Sequence, residues 1–237
     1  MAKNKGTDPW NTPADPKADL AAFSKEEPQL VVTPEEEAGL ASLEETLKQR
    51  FARYVAESNA TMSKETTDEV IYYGLVGETG EVAELFKKHL GHGHPLSLPS
   101  LRKEIGDVLW YVARVQERYG TKGEQHGIEP FLIIGPRSEM LKRLAQQVAG
   151  CTEEFMQEAK SMDVTDRCSR IVAYLVGLYR EAELSLTPES DSLKDLNKHM
   201  EHSLFNILDE NKAKLSARFQ SGAFSTEESL NRKETDK

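Results

Sequence analysis

Two eight-residue stretches of the chain repeat one pattern, Leu-x-x-Glu-x-Gly-acid-Val, at residues 75–82 and 101–108. The first stretch contains Glu78 and Glu81, and the second contains Glu104 and Asp107. Acids three residues apart on an α-helix lie about 60° from each other, so both members of a pair can face one object. A helical wheel places Glu78 between apolar residues, sets Glu104 within the apolar stripe of its helix, and leaves Asp107 at the edge of that stripe. The pattern therefore predicts two helices that direct acids toward a packed interior.

Buried acids of this kind predict a divalent metal site. Forty of the 237 residues are acidic, so one isolated pair would be typical of a solvated surface. Two pairs in a repeated pattern favour a site, because four carboxylates withdrawn from water cost several kcal/mol per charge unless cations compensate them. All-oxygen ligation favours Mg²⁺ or Mn²⁺. Gly80 and Gly106 cost about 1 kcal/mol each inside helices, which predicts close backbone approach there or a simple packing notch.

Apolar residues at helical spacing predict an all-α fold, and no segment shows the alternation of a strand. The predicted helices span residues 33–57, 67–90, 101–119, 137–161, 164–184 and 192–219. We expect one domain over residues 33–219, in which helices 67–119 carry the chemistry, residues 120–190 form an insertion and helix 192–219 closes the bundle. Residues 1–32 are predicted to be a flexible tail and residues 220–237 a polar one. Cys151 and Cys168 lie in helical patterns and are expected in the core.

Charge and hydropathy exclude several functions. The net charge of −10 argues against binding of polymeric nucleic acid, which needs clustered Lys and Arg. No apolar run approaches the roughly 18 residues of a membrane span, and the first residues lack the apolar core of a signal peptide. We therefore expect a cytoplasmic protein without a membrane partner.

The acidic motifs resemble those of the MazG-like family of all-α nucleoside-triphosphate pyrophosphohydrolases, which carry E-x-x-E and E-x-x-D pairs on neighbouring antiparallel helices. Residues 77–84 look like the first half of that pattern and residues 103–111 like the second. Residues 211–219, followed by Gly222, Phe224, Asn231 and Arg232, resemble the family's carboxy-terminal segment. The resemblance covers roughly residues 45–119 and 200–232. It implies Mg²⁺-dependent hydrolysis of a nucleoside triphosphate to the monophosphate and pyrophosphate.

The same resemblance implies roles for individual residues. The four acids would hold the metal and carry catalysis, and Glu78 is our first candidate for the group that orients water. Residues expected to bind the substrate are Lys87, Lys88, Tyr111, Asn211, Lys214 and Arg218. Tyr111 is favoured over Trp110 for stacking on a base because it lies beside Glu104 on the wheel. Lys87 and Lys88 also fit a solvated surface.

Several alternatives stay open at this point. About 75 residues separate the acidic helices from the closing helix, either as a degenerate second copy of the motif helices or as a plain insertion. A homodimer is possible under either interpretation. The functional alternative is a catalytically weak protein of the same fold that binds a nucleotide or a partner. A di-iron bundle is disfavoured because no histidine follows a glutamate by three residues, and His89, His92 and His94 lack a clear fourth zinc ligand.

Overall fold

The computed structural model of the chain describes residues 47–120, 135–156, 161–186, 196–219 and 224–227. Its helices are α1 (residues 47–58), α2 (Asp68–His92), α3 (Leu98–Tyr119), α4 (Arg137–Met156), α5 (Ser161–Leu186) and α6 (Leu196–Arg218). A 3₁₀ turn, Asn59–Thr61, follows α1. These ranges contain no strand, and the predicted all-α fold is confirmed. Residues 1–46, which include the predicted N-terminal tail and the start of the first helix, lie outside the described part of the chain, as do most of residues 220–237.

Helix α2 has clear start and stop signals. Asp68 and Glu69 occupy its first turn, where their negative charges face the positive end of the helix dipole. Four apolar residues of α2 point into the core: Ile71, Leu75, Val82 and Phe86. Gly93 ends the helix in the left-handed conformation, with φ of 70°, and its N–H donates to Lys88 O. Glycine adopts this conformation without the strain that other residues incur.

Helix α3 lies at the centre of the structure. Ser97 caps it by accepting a hydrogen bond from Ser100 N at 3.3 Å, and a proline occupies its first turn. The helix packs against α2, α5 and α6, and its middle is buried on nearly every side. Glu104 and Asp107 therefore lie on a helix that is packed against three other helices.

Helices α4 and α5 form a pair that packs against the two acidic helices. They pack against each other, while α5 also contacts α3 and α4 contacts α2. Cys151 and Cys168 are both buried in this layer, as the sequence predicted. Helix α6 then packs against α3 and α5. Helices α4 and α5 lie within residues 120–190, which the sequence predicts to be either a degenerate copy or an insertion.

Two arginines of α3 donate hydrogen bonds to the end of α1 and to the connection between α1 and α2, which comprises residues 59–67. Arg114 is completely buried and donates to Val55 O at 2.6 Å, Ser58 Oγ at 2.7 Å and Asn59 Oδ1 at 2.7 Å. Arg118 donates to Thr66 O at 2.6 Å and also pairs with Asp68. The connection is thereby held against α3, where it borders the site described below. None of the described helices carries an apolar stretch long enough for a bilayer span.

Candidate active site

Three carboxylates of α2 and α3 converge on one point. Glu78, Glu104 and Asp107 each offer an oxygen, and the three oxygens lie within 4.8 Å of one another. All three residues are partly buried. Oxygen ligands stand about 2.0–2.6 Å from Mg²⁺ or Ca²⁺, so oxygens at this separation can share one cation. Within the described residues this is the one group of acids, histidines or cysteines with such geometry.

Glu81 stands apart from this trio. It lies one helical turn beyond Glu78 and is exposed, but it lines the same cavity as the other three acids. Its charge raises the pKa of Glu78, although it is the weakest of the charges that do so. The four predicted acids are therefore arranged as a close trio with Glu81 beside it.

The acids of the trio destabilise one another's ionised forms. Burial, followed by the charges of Asp107 and Glu104, raises the pKa of Glu78 to about 6. Burial likewise raises the pKa of Glu104, where the positive charge of Lys103 acts in the opposite direction. Three partly buried carboxylates, with raised pKa values at Glu78 and Glu104, form the electrostatic setting that a divalent cation stabilises.

Asp107 is held by two residues of α6. Lys214 Nζ donates to both carboxylate oxygens, at 2.6 Å to Oδ2 and closer to Oδ1. Asn211 Nδ2 donates to Asp107 Oδ1 at 2.9 Å. Asn211 in turn accepts a hydrogen bond on Oδ1 from the hydroxyl of Tyr54 at 2.8 Å. The closing helix therefore orients an acid of α3 directly.

The trio faces a cavity of about 700 Å³. Such a volume falls in the range of small-molecule sites, roughly 300–1,000 Å³. Its charged lining comprises Glu65, Glu78, Glu81, Lys103, Glu104, Asp107, Lys214 and Arg218. Its aromatic lining comprises Trp110, Tyr111, Phe219 and Phe224, and the remaining lining residues are Thr61, Ser63, Thr66, Val70 and Leu215. One cavity therefore combines acids, cations and flat aromatic surfaces.

The structure brings three of the six predicted substrate-binding residues to the lining of this cavity. Tyr111, Lys214 and Arg218 line it, whereas Asn211 is buried behind Asp107. Lys87 and Lys88 are exposed and pair with Glu84, outside the lining. Lys88 shares the side of α2 that bears Glu81 but lies two turns, roughly 10 Å, further along the axis. This placement matches the solvated-surface interpretation of both lysines.

Several lining residues had no role assigned from the sequence. Phe219 and Phe224 lie in the segment that carried the carboxy-terminal resemblance, and their rings are 5.4 Å apart. Phe224 N donates to Ala60 O at 3.2 Å, which joins this segment to the turn after α1. Trp110, which was ranked below Tyr111, also lines the cavity and donates from Nε1 to Thr61 Oγ1 at 3.0 Å. The signal available in the sequence was the presence of aromatic residues close to Asn211 and Lys214.

The glycines of the two motifs differ in their surroundings. A Cβ atom at Gly106 would lie 3.0 Å from Asn211 Cβ, so α3 and α6 do approach closely there, as predicted. The same prediction is wrong for Gly80, where a Cβ atom would meet nothing within 4 Å. Close approach on α2 occurs instead at Gly74, whose missing side chain leaves room for the ring of Tyr111. A Cβ atom there would come within 2.1 Å of that ring.

An all-α bundle with converging acids on adjacent helices defines a class of helical domains whose acids could hold a metal ion. More specifically, residues 66–123 match the family model described as the MazG nucleotide pyrophosphohydrolase domain. The matched segment contains the trio and Glu81, and it confirms the family resemblance predicted from the acidic motifs. No curated protein and no solved structure gives a significant match to the chain.

Proposed function

We propose that the protein is a Mg²⁺- or Mn²⁺-dependent nucleoside-triphosphate pyrophosphohydrolase, which cleaves the bond between the α and β phosphates and releases a monophosphate and pyrophosphate. The observation that carries this proposal is the convergence of Glu78, Glu104 and Asp107 on a cavity of about 700 Å³. The family match over residues 66–123 supports it. Lining by both cations and aromatic rings is what a ligand with a charged tail and a flat base requires.

The residues present fit a divalent cation, because the trio supplies carboxylate oxygens and no nitrogen or sulfur ligands. Glu78, Glu104 and Asp107 would hold it, and Glu81 borders the same space. When bound, such an ion neutralises phosphate charge and lowers the pKa of water. Glu78 is the carboxylate we assign to orienting the attacking water, since it belongs to the trio and lines the cavity.

Cationic residues of the cavity are assigned to the triphosphate. Lys214 and Arg218 lie on α6 four residues apart, hence on one face, and both line the cavity. Lys103 lines it from α3, with Nζ 3.6 Å from Glu104 Oε1. Charge-assisted hydrogen bonds from such groups contribute more to binding than neutral ones. We therefore place the phosphates beside the acids, between α3 and α6.

Aromatic residues of the cavity are assigned to the base. Tyr111 is set against Gly74, and the rings of Trp110 and Tyr111 meet edge to face at 4.9 Å. Phe219 and Phe224 provide further flat surface. Every base offers a π-face for stacking, worth about 1–3 kcal/mol in nucleic-acid complexes, so this wall supports binding without specifying one base.

A nucleotide panel tests the proposal. Purified protein with Mg²⁺ is incubated with canonical and modified ribo- and deoxynucleoside triphosphates, and pyrophosphate release is measured. We expect release from at least one of them and a loss of at least about 100-fold in Asp107→Asn, with unchanged helical circular dichroism. Asp166→Asn is the matched control, because Asp166 pairs with Arg170 on the exposed side of α5.

The alternative function gives a different result in the same assay. A nucleotide-binding or partner-binding protein of this fold would release no pyrophosphate from any triphosphate in the panel. Binding of a non-hydrolysable triphosphate without turnover of any substrate would favour that alternative over the hydrolase.

A further inference from the structure

Tyr54 is a buried residue of α1 that contacts the site through one intermediary. Its side chain is 4% exposed, and its hydroxyl donates to Asn211 Oδ1 at 2.8 Å. Burial raises the pKa of Tyr54 far above its usual value, so the hydroxyl keeps its proton and stays a donor. Tyr54 lies before the segment that matches the family model. No role follows for it from the acidic motifs.

The bond from Tyr54 determines which end of the Asn211 amide faces Asp107. An asparagine amide has a donor end and an acceptor end, and the two can exchange by rotation. With the Tyr54 hydroxyl bonded to Oδ1, Nδ2 points at Asp107 and donates to its Oδ1 at 2.9 Å. The rotated amide would set its carbonyl oxygen against a carboxylate. Asn211 is 4% exposed, so water has little access to replace either bond.

Gly106 provides the space that this arrangement needs. A Cβ atom at this position would lie 3.0 Å from Asn211 Cβ and 3.1 Å from Asn211 Nδ2. Such contacts are tighter than ordinary van der Waals separation, so any larger residue would displace the amide. Gly106 also directly precedes Asp107 in the chain. The glycine, the amide and the tyrosine thus converge on one carboxylate.

We propose that Tyr54 is a positioning residue for the metal site: it fixes the Asn211 amide and, through it, holds the Asp107 carboxylate in the orientation that a cation needs. This inference rests on the proposed function. Outer partners of this kind commonly change metal affinity by about 10- to 100-fold when removed. Lys214 also contacts Asp107, but its long side chain rotates about more bonds than the Asn211 amide, which is hydrogen-bonded at both ends. Lys214 therefore fixes the orientation of the carboxylate less firmly than Asn211 does.

Mn²⁺ binding measured by electron paramagnetic resonance tests the inference without using activity. Tyr54→Phe removes the hydroxyl alone and is expected to weaken Mn²⁺ binding by about 10-fold. Tyr179→Phe is the matched control, because Tyr179 is also 4% exposed and interacts with Arg102 instead of Asn211. Asn211→Ala and the double variant that combines it with Tyr54→Phe complete a double-mutant cycle. If Tyr54 acts through Asn211, the double variant binds Mn²⁺ no more weakly than Asn211→Ala alone.

Pyrophosphate release gives a second readout. In Tyr54→Phe, raising the Mg²⁺ concentration by about 10-fold should restore the wild-type kcat, since the expected defect is in metal affinity. Gly106→Ala would displace the Asn211 amide while Tyr54 stays in place, and it is expected to weaken Mn²⁺ binding several-fold. This variant keeps the test available if Tyr54→Phe does not fold.

The outcomes separate the inference from the function on which it rests. Absence of Mn²⁺ binding in the wild-type protein would contradict the proposed function itself. Normal binding in the wild type together with unchanged affinity in Tyr54→Phe would overturn the role of Tyr54, and unchanged affinity in Gly106→Ala would overturn the link between the Asn211 amide and Asp107. Additive losses in Tyr54→Phe and Asn211→Ala would overturn it as well.

Discussion

Lys214 Nζ donates to both carboxylate oxygens of Asp107, so a cation of the protein itself neutralises one acid of the trio. The two oxygens offer about four acceptor positions. Lys214 takes two of them and Asn211 takes a third. Lys214 also lines both the large cavity and a second cavity of about 190 Å³, which gives its ammonium group space to move aside. Lys214 thus occupies acceptor positions on Asp107 that a divalent ion would use, and its ammonium group lies where a phosphate would bind.

Lys214→Met should separate these two effects. Removal of the ammonium group eliminates a competing positive charge, so Mn²⁺ binding to the free protein is expected to become about 3-fold tighter. Loss of a charge-assisted bond to phosphate should raise KM for the triphosphate by about 10-fold. Titration of Mn²⁺ and steady-state kinetics measure the two quantities.

The control for this variant is Lys212→Met. Lys212 lies on the same helix, is exposed and pairs with Glu57 at 2.5 Å, away from the trio. Both quantities should stay near wild type in this control. Weaker Mn²⁺ binding in Lys214→Met would contradict the competition between lysine and metal.

Glu81 and Glu104 should differ in their importance for metal affinity. Glu104 belongs to the trio, whereas Glu81 is exposed and lies outside it. Glu104→Gln is expected to weaken Mn²⁺ binding by more than about 10-fold, because it removes a direct ligand. Glu81→Gln should change it by less than about 3-fold, since solvent and salt screen the charge. Equal losses in the two variants would show that all four acids form one site.

The stability of the metal-free protein should fall as pH rises through the titration of Glu78. Its pKa is about 6 in the folded chain against an ordinary value of 4.5 for a glutamate side chain, so the folded state binds the proton more tightly. The contribution of this group is therefore fully present below pH 4.5 and lost as pH rises to 6 and beyond. Because Glu78 is only half-buried, Glu78→Gln should raise the unfolding free energy at pH 7 by about 1 kcal/mol.

Urea unfolding of both proteins at several pH values, without metal, measures this difference. The gap between Glu78→Gln and wild type should open between pH 4.5 and 7 and close when Mg²⁺ is added to the wild type. A gap that is the same at all pH values would mean that ionisation of the half-buried Glu78 does not cause it.

Two glycines of α2 provide a matched test of packing around Tyr111. Gly74→Ala would bring a methyl group within 2.1 Å of the Tyr111 ring, and we expect it to lower the unfolding free energy by about 1–3 kcal/mol. Gly77→Ala, three residues later, meets nothing within 4 Å and should raise that free energy by about 0.5–1 kcal/mol through helix propensity. Chemical denaturation of the two variants checks the opposite signs.

The sequence predicted the acidic helices well because helical periodicity is a local property. The wheel placed Glu78 on the apolar face, and in the structure Glu78 is half-buried between core residues such as Val82. The predicted helices 67–90 and 101–119 correspond to α2 and α3 with shifts of a few residues at the ends. Turn residues explain these shifts, since Ser97 caps α3 one helical turn before the apolar stripe begins.

Helical periodicity did not predict contacts between segments that are far apart in the sequence. Tyr54 and Asn211 are 157 residues apart, and nothing local to either residue indicates the other. The sequence also treated Gly80 and Gly106 alike, although α6 lies against one and open space lies beside the other. Which side of a helix receives a neighbour depends on the packing of the whole bundle, and a repeated local motif does not encode it.

The walls of the cavity come from different parts of the polypeptide. The hydrogen bond from Phe224 N to Ala60 O brings Phe224 beside the acidic helices, yet the segment after α6 contributes none of the trio. Substitutions at this end of the chain can therefore alter the fit of a ligand while the carboxylates on α2 and α3 are left as they are. Under the proposed function, the choice of nucleotide and the binding of the cation therefore depend on different segments of the chain.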